Sequence, residues 1–367
     1  IVGHRLMDHT QRQYTGSHLV ARLDGQNFLI ALADIEENKI SDFASDMIAS
    51  VFDELHLEGR PINPVARAGV AISNSNSSEK TLIRKAVLAL AEATAADALP
   101  INFSNMSEAD VHLEEVLEDQ LAGAMGRGEI VIAFQPQIQI DTGQLVGAEA
   151  LARWEHPEYG LLGASTLFAV AERAGVMASL STQIHKQALT LAARWPDSLK
   201  FLRLSLNVTA GDLAAAAFDD NILKQSEVAG FPPLSLTLEI TESELIGNLS
   251  ASAEVLHRLR KAGVRIAIDD FGTGYSSLSY LKELPVDYLK IDSGLTGDIS
   301  GSPKDQVVVR SIIDMAHSLD LSVIAEGVET ESQLNILAEQ GCEFFQGFLR
   351  SGPLSPDEFE AFALRSN

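Results

Sequence analysis

A single cysteine, Cys342, stands in 367 residues. No disulfide can form within the chain, and the sequence fits a reducing cytoplasm better than a stapled secreted scaffold. Basic residues are scarce: 27 Lys and Arg face 51 Asp and Glu, for a net charge of −24. Charge of that sign repels polyphosphates and argues against a duplex nucleic-acid binder, which needs a basic face. A small phosphodiester remains within reach of an acidic protein if bound cations reverse the local field. No apolar run approaches the ~18 residues of a membrane span, and no secretory h-region opens the chain. Short-period repeats and long low-complexity tracts are also missing. The first residue is Ile1 rather than Met, which reads as a piece of something longer and leaves upstream sensor or membrane segments open.

What is present divides into two parts. Hydrophobic residues at 46% and charged ones at 21% are ordinary for a globular protein, and the length suggests two or three domains. Residues 1–105 read as a small α/β unit. Leu19–Leu32 is strand-turn-strand around Asp24-Gly25-Gln26-Asn27, Ile40–Leu57 has apolar residues at helical spacing, Val65–Ile72 reads as a strand, and Thr81–Ala96 as an Ala-rich helix. A polar seam at Ser104-Asn105-Met106-Ser107 follows, with Ser107 as a cap for a helix over Glu108–Met125. Residues 106–126 are expected to be a linker helix, and 127–367 a second domain.

In that second domain strands and helices alternate. The strand candidates are Ile130–Ile138, Leu145–Trp154, Leu202–Val208, Leu234–Thr241, Arg265–Asp269, Tyr288–Ile291, Ser322–Ala325 and Phe344–Phe348. Helical stretches between them include Leu167–Ala174, Thr182–Arg194, Ala251–Ala262, Gln306–Leu319 and Glu331–Glu339. Such alternation over roughly 240 residues points to a TIM-like (β/α)8 barrel.

Polar residues recur toward the C-terminal ends of these strands, where barrel enzymes build their sites: Glu149, Asn207, Glu239, Asp269, Asp270, Lys290, Glu326 and Gln346. Strand parity puts Thr237, Glu239 and Thr241 on one face and Leu236, Leu238 and Ile240 on the other. Five carboxylates converging on one mouth would repel one another. Oxygen ligands without Cys or His suit Mg²⁺ or Mn²⁺ rather than zinc. Adjacent Asp269 and Asp270 could let one carboxylate bridge two ions ~3.5–4 Å apart, with Lys290 positioning or deprotonating an attacking water. Arg153 shares a strand face with Glu149 about 13 Å farther along and could hold a second phosphate. Taken singly, each residue has a plainer explanation. A strand Glu can be a solvated edge, Lys290 a surface lysine, Arg153 a packing partner, Asn207 a turn residue, and Phe271-Gly272-Thr273-Gly274-Tyr275 a loop. It is the recurrence of acids around one barrel that favours a metal-dependent site.

Several stretches resemble the EAL-domain family of cyclic-di-GMP phosphodiesterases: Phe134-Gln135-Pro136-Gln137, Glu149-Ala150-Leu151-Ala152-Arg153-Trp154, Asn207-Val208-Thr209, Glu239-Ile240-Thr241-Glu242, Asp269-Asp270-Phe271-Gly272-Thr273-Gly274-Tyr275-Ser276-Ser277-Leu278, Leu289-Lys290-Ile291-Asp292, Ala325-Glu326-Gly327-Val328-Glu329-Thr330 and Gln346-Gly347. They run in order from about Val111 to the C-terminus. The resemblance implies hydrolysis of cyclic-di-GMP to linear pGpG. It implies that Glu149, Asn207, Glu239, Asp269, Asp270 and Glu326 bind two Mg²⁺ or Mn²⁺ ions, that Lys290 contacts the catalytic water, and that Gln346 supports it. Arg153 would hold the phosphodiester, with Gln135, Leu151 and Asp292 among the other substrate contacts. Glu242 and Glu329 resemble residues that brace the Asp269–Leu278 loop, which in the family shapes the site and often contributes to dimerisation, so a homodimer through the barrel is expected. One departure is that Ala164 and Leu167 stand where the family has Pro and Phe.

The N-terminal part resembles a GGDEF domain without its beginning. Arg22-Leu23-Asp24-Gly25-Gln26-Asn27-Phe28 takes the place of that family's Arg-Leu-Gly-Gly-Asp-Glu-Phe hairpin. Gln26 and Asn27 replace the two acids, and Asp24 replaces a Gly where substrate approaches. Val87, Ala91 and Thr94 replace Asp, Tyr and Lys, and Thr15–His18 occupies the place of the inhibitory Arg-x-x-Asp motif. Cyclase activity is expected to be lost, leaving a regulatory or scaffolding role. The competing readings are a non-catalytic cyclic-di-GMP receptor, a metallophosphodiesterase for another substrate, and a pure interaction module.

Overall fold

A computed structural model of the chain describes residues 2–24, 27–51, 55–57, 60–62, 66–73, 78–95, 101–104, 108–242, 245, 249–272, 281 and 284–366. It forms two compact units, residues 1–117 and 118–367. The first contains α1 (Val2–Gln13), β1 (His18–Asp24), β2 (Asn27–Leu32), α2 (Glu37–Val51), β3 (Leu55–Leu57), β4 (Arg60–Ile62), β5 (Ala68–Val70), α3 (Glu79–Ala95) and β6 (Ile101–Phe103). β1 and β2 make the expected antiparallel hairpin, with Asp24 opposite Asn27; Gly25 and Gln26 lie outside the described residues. The helix expected to run to Leu57 ends at Val51, and Leu55–Leu57 pairs antiparallel with Arg60–Ile62. Apolar spacing alone does not mark that stop, because a short buried strand and a helix end carry the same residues. The strand expected over Val65–Ile72 narrows to β5, whose Gly69 allows the close approach to α3. A Cβ there would come within 2.1 Å of the Ala86 carbonyl oxygen. The expected cap Ser107 lies outside the described residues.

α4 (Glu108–Arg127) leads into the second unit, which contains β7 (Ile130–Gln139), β8 (Leu145–His156), β9 (Gly160–Leu162), α5 (Ala164–Arg173), α6 (Met177–Ala192), β10 (Arg203–Asn207), α7 (Ala210–Ala214), α8 (Phe218–Ala229), β11 (Leu236–Thr241), α9 (Leu249–Lys261), β12 (Arg265–Phe271), β13 (Tyr288–Ile291), α10 (Ser293–Gly297), α11 (Pro303–Ser318), β14 (Ser322–Ala325), α12 (Glu331–Glu339), β15 (Phe344–Phe345) and α13 (Pro356–Ser366). Eight strands close on themselves in the order β7-β8-β10-β11-β12-β13-β14-β15, with β15 returning to β7. This is the expected TIM-like barrel with one difference from a regular (β/α)8 form: β7 runs antiparallel to both neighbours. A short turn, too short for a helical crossover, joins β7 to β8, and only an antiparallel pair can be joined that way. β9 adds an antiparallel edge to β8.

Alternation along the strands separates the two faces of the wall. Leu204, Leu206, Leu236, Leu238, Ile240, Ile266, Ile268, Leu289 and Val323 are buried on the outward face under the helices. On the inward face a small apolar layer of Ala267, Tyr288, Ile324 and Phe344 fills the barrel. Farther along the same strands, toward their C-terminal ends, the inward positions turn polar. Leu167 is fully buried in α5.

Candidate active site

Lys290 sits on β13 with no solvent exposure. Its Nζ lies 2.5 Å from Glu239 Oε2, 2.6 Å from Glu326 Oε1, 3.1 Å from Asp269 Oδ1 and 3.4 Å from Glu149 Oε2. A fully buried ammonium is tolerated only when its desolvation is offset by charge and hydrogen bonds, and here four carboxylates supply both. The plain reading of Lys290 as a surface lysine is therefore excluded by its position.

Amides tie the acids together. Gln346 Nε2 donates to Glu149 Oε2 at 2.7 Å and to Glu326 Oε1 at 2.8 Å. Asn207 Nδ2 donates to Glu149 Oε1 at 2.8 Å, and β10 and β11 set Asn207 level with Glu239. Gln346 owes its place to the next residue. Gly347 has φ +157, and a Cβ there would sit 2.1 Å from the Val328 carbonyl oxygen, so only glycine lets the chain pass this close.

Adjacent strand residues ordinarily face opposite sides, yet Asp269 and Asp270 serve one place. The β12–β13 register breaks between Ile268 and Phe271, and Asp270 takes φ +53, a left-handed conformation that Asp tolerates better than most residues. Carboxylate oxygens of Asp269, Asp270 and Glu326 then fall within 4.8 Å of one another, as do those of Glu149, Glu239 and Asp269. Two all-oxygen clusters sharing Asp269 fit hard divalent cations.

Crowding these charges shifts their proton affinities. Burial, reinforced by the neighbouring acids and only partly opposed by Lys290, pushes Glu239 and Glu326 up to about 8. Burial also raises Asp270, with Asp269 adding to it. For Glu149 burial acts upward, but Lys290, Gln346 and Asn207 together outweigh it and hold the carboxyl below its usual range. Lys290, despite its burial, is held well above an ordinary lysine by Asp269, Glu149, Glu239 and Glu326.

The remaining expected residues lie on or next to strands of the same barrel. Gln135 on β7 is paired with Glu149 on β8. Leu151 and Arg153 follow on the same face of β8, both half-buried, and Arg153 Nη1 donates to the Ala152 carbonyl oxygen at 2.8 Å. Asp292 caps α10, its Oδ1 accepting from Gly294 N at 2.9 Å. Glu242 is buried just past β11, whereas Glu329 is exposed and its N–H donates to Gln333 Oε1. Residues 273–280, most of the loop that Glu242 and Glu329 were expected to brace, lie outside the described residues.

Two buried polar residues of this region, Gln137 and His185, carry no role in the expectations drawn from the sequence. Gln137 Nε2 lies 3.3 Å from Gln346 Oε1 and 3.4 Å from both Glu239 Oε1 and Ser205 Oγ. It shares its strand face with Gln135, two residues away, and that parity was the available signal. His185 on α6 sits 2.9 Å from the Asn207 carbonyl oxygen; nothing in its sequence surroundings marks it.

Against known proteins, residues 118–353 match the EAL domain and residues 1–98 match the diguanylate cyclase GGDEF domain. Cyclic di-GMP phosphodiesterase NbdA of Pseudomonas aeruginosa is 35% identical over 350 residues, covering 94% of this chain and 45% of that protein. Among solved structures, the c-di-GMP complex of the PaMucR phosphodiesterase is 35% identical with a TM-score of 0.64, covering 66% of this chain and 99% of that one. The manganese/cy-diGMP complex of Klebsiella pneumoniae BlrP1 is 32% identical with a TM-score of 0.56, covering 62% and 56%. The chain spans about half the length of the curated relatives it matches.

Proposed function

The chain belongs to the EAL-domain family, and from that premise we propose that it hydrolyses cyclic-di-GMP to linear pGpG in a reaction that depends on two divalent cations. The observation that carries this reading is the burial of Lys290 among Glu149, Glu239, Asp269 and Glu326. A structural core has no use for such a concentration of charge. With Asp270 counted, one ammonium faces five carboxylates, and when all are ionised the four uncompensated charges equal those of two divalent ions.

Glu149, Asn207, Glu239, Asp269, Asp270 and Glu326 would hold Mg²⁺ or Mn²⁺, which when bound would acidify water and neutralise phosphoryl charge. In the reaction a water oxygen bonds to phosphorus, the bond from phosphorus to the 3′-oxygen breaks, and that oxygen takes a proton. Lys290, held as the ammonium by its carboxylates, donates to and positions the attacking water. Gln346 keeps Glu149 and Glu326 at fixed separation. Arg153, several residues along β8 from Glu149, turns from its own backbone to the second phosphate, while Gln135, Leu151 and Asp292 line the approach. Glu242 and Glu329 brace the loop after β12.

The N-terminal region to about residue 105 acts as a catalytically silent GGDEF-like scaffold or regulator, and the helix to about 126 as its linker. A cytoplasmic setting and a homodimer through the barrel belong to the same reading. Among the described residues no helix is long and apolar enough to cross a membrane, and a monomer by light scattering at assay concentration would remove the dimer.

Chromatography of cyclic-di-GMP incubated with the protein and Mg²⁺ tests the proposal. pGpG should appear, and should be absent with EDTA or with Glu149→Ala. Binding without product would turn the reading into that of a receptor.

A further inference from the structure

α6 carries two buried polar side chains one turn apart, Ser181 at 4% exposure and His185 at 2%. Positions i and i+4 share a helix face, and both meet the stretch that runs from the end of β10 into α7. There the sheet stops serving the backbone. β8 pairs with β10 only as far as Leu206, so on that side the carbonyl of Asn207 has no strand partner, and a half-buried carbonyl needs a donor. His185 Nε2 supplies it at 2.9 Å. Burial lowers the basicity of His185, and the neutral ring with hydrogen on Nε2 makes this bond.

The segment after Asn207 is fastened from the same helix face. Thr209 and Asp212 form a reciprocal capping box at the start of α7, and Ser181 Oγ donates to Asp212 Oδ2 at 2.6 Å. The chain from Asn207 to Asp212 is thus tied to α6 at both ends, and the Asn207 side chain holds Glu149.

We propose that His185, assisted by Ser181, is a positioning residue for the cation site, setting the backbone of Asn207 so that its amide meets Glu149 and the ion. This rests on the function proposed above. Outer partners that orient ligands commonly change metal affinity by ~10–100-fold, so a neighbour of Asn207 can matter without touching substrate.

The test compares His185→Gln, which keeps a donor near the Nε2 position, with His185→Met, which keeps bulk and loses the donor. Manganese affinity by calorimetry, kcat and KM for cyclic-di-GMP, and the Tm of metal-free protein are measured for each. The Met variant should bind manganese about tenfold more weakly and lose kcat in proportion, with KM within about twofold of wild type. The Gln variant should recover most of both losses at a similar metal-free Tm. Ser181→Ala, a milder change, should shift manganese affinity in the same direction and keeps the test open if His185→Met does not fold. Equal behaviour of the Gln and Met variants, or losses that track Tm alone, would overturn the positioning role. Wild-type protein that binds no manganese would overturn both this inference and the function it rests on.

Discussion

Lys290 Nζ and Glu239 Oε2 meet at 2.5 Å across the intervening strand β12, and neither side chain has any exposure to solvent. Lys290 is the main group opposing the burial cost of Glu239, and Glu239 is one of four acids that offset the burial of Lys290. A lone Glu in this place would be protonated, and a lone Lys deprotonated, because the interior disfavours either isolated charge.

Removing the lysine should therefore damage folding and chemistry separately. Lys290→Met leaves Glu149, Glu239, Asp269 and Glu326 without their shared cation, and breaking a buried pair this way costs about 3–5 kcal/mol. In metal-free protein Tm should drop accordingly; with Mn²⁺ much of the loss should return, because the ions supply the missing positive charge. Turnover should stay at least ~10²-fold down even then, as expected for loss of the group that positions the attacking water. Melting curves with and without Mn²⁺, beside pGpG formation, separate the two effects. Wild-type turnover in this variant would remove Lys290 from the chemistry.

Metal removal should interact with pH. Glu239 and Glu326, raised from an ordinary value near 4.5 to about 8, bind more protons folded than unfolded across that interval. Metal-free stability should then fall as pH rises from about 5 to 8. Cations displace those protons, so the gain on adding Mn²⁺ should be larger at pH 8 than at pH 6, reaching about 2.7 kcal/mol at a hundredfold excess over Kd. Tm measured in EDTA and in Mn²⁺ across this range checks it, and a metal-induced gain that shrinks with rising pH would contradict the assignment of these two acids.

The strand-end acids were legible in the sequence because period-two alternation alone sends Glu239 inward and Leu238 and Ile240 outward. The same rule would have sent Asp269 and Asp270 to opposite faces. Only a register break and a left-handed residue unite them, and neither leaves a mark that periodicity can read. The direction of β7 is set by the short turn that joins it to β8, a matter of loop length rather than of strand pattern. The α13 helix, by contrast, had readable signals in Pro356, Asp357 and Glu358 at its start. His185 is hidden for a different reason: its value lies in a carbonyl on another element, and a histidine inside an apolar helix face looks like ordinary core.

Arg153 should separate binding from turnover. It lies beyond the carboxylates on β8, half-buried, with its guanidinium on its own backbone. Hydrogen bonds to charged groups contribute about 1.5–3 kcal/mol, so Arg153→Ala should raise KM for cyclic-di-GMP by tenfold or more while kcat changes by less than about threefold. Steady-state kinetics followed by pGpG chromatography measures both. An unchanged KM would contradict a role as phosphate clamp.

Cys342 offers a probe of the barrel that is independent of activity. It is the chain's one thiol and is 3% exposed. Its Sγ lies 3.3 Å from the Phe344 carbonyl oxygen and 3.6 Å from that of Val323, at the β14–β15 edge of the closed sheet. Burial pushes the thiol up to about 12, and since the thiolate is the reactive form, alkylation at pH 8 should be very slow in the native protein. Unfolding in guanidinium returns the thiol to an ordinary value near 8.5, and labelling should then be complete within minutes. If labelling proceeds through local opening between β14 and β15, Mn²⁺ should slow it further, because a cation on Glu326 would steady the carboxylate to which Gln346 donates. Mass spectrometry of iodoacetamide-treated protein, with and without Mn²⁺, gives the rates. Native labelling as fast as in guanidinium would mean that this part of the barrel opens freely, and a rate indifferent to Mn²⁺ would argue that the ions do not steady it.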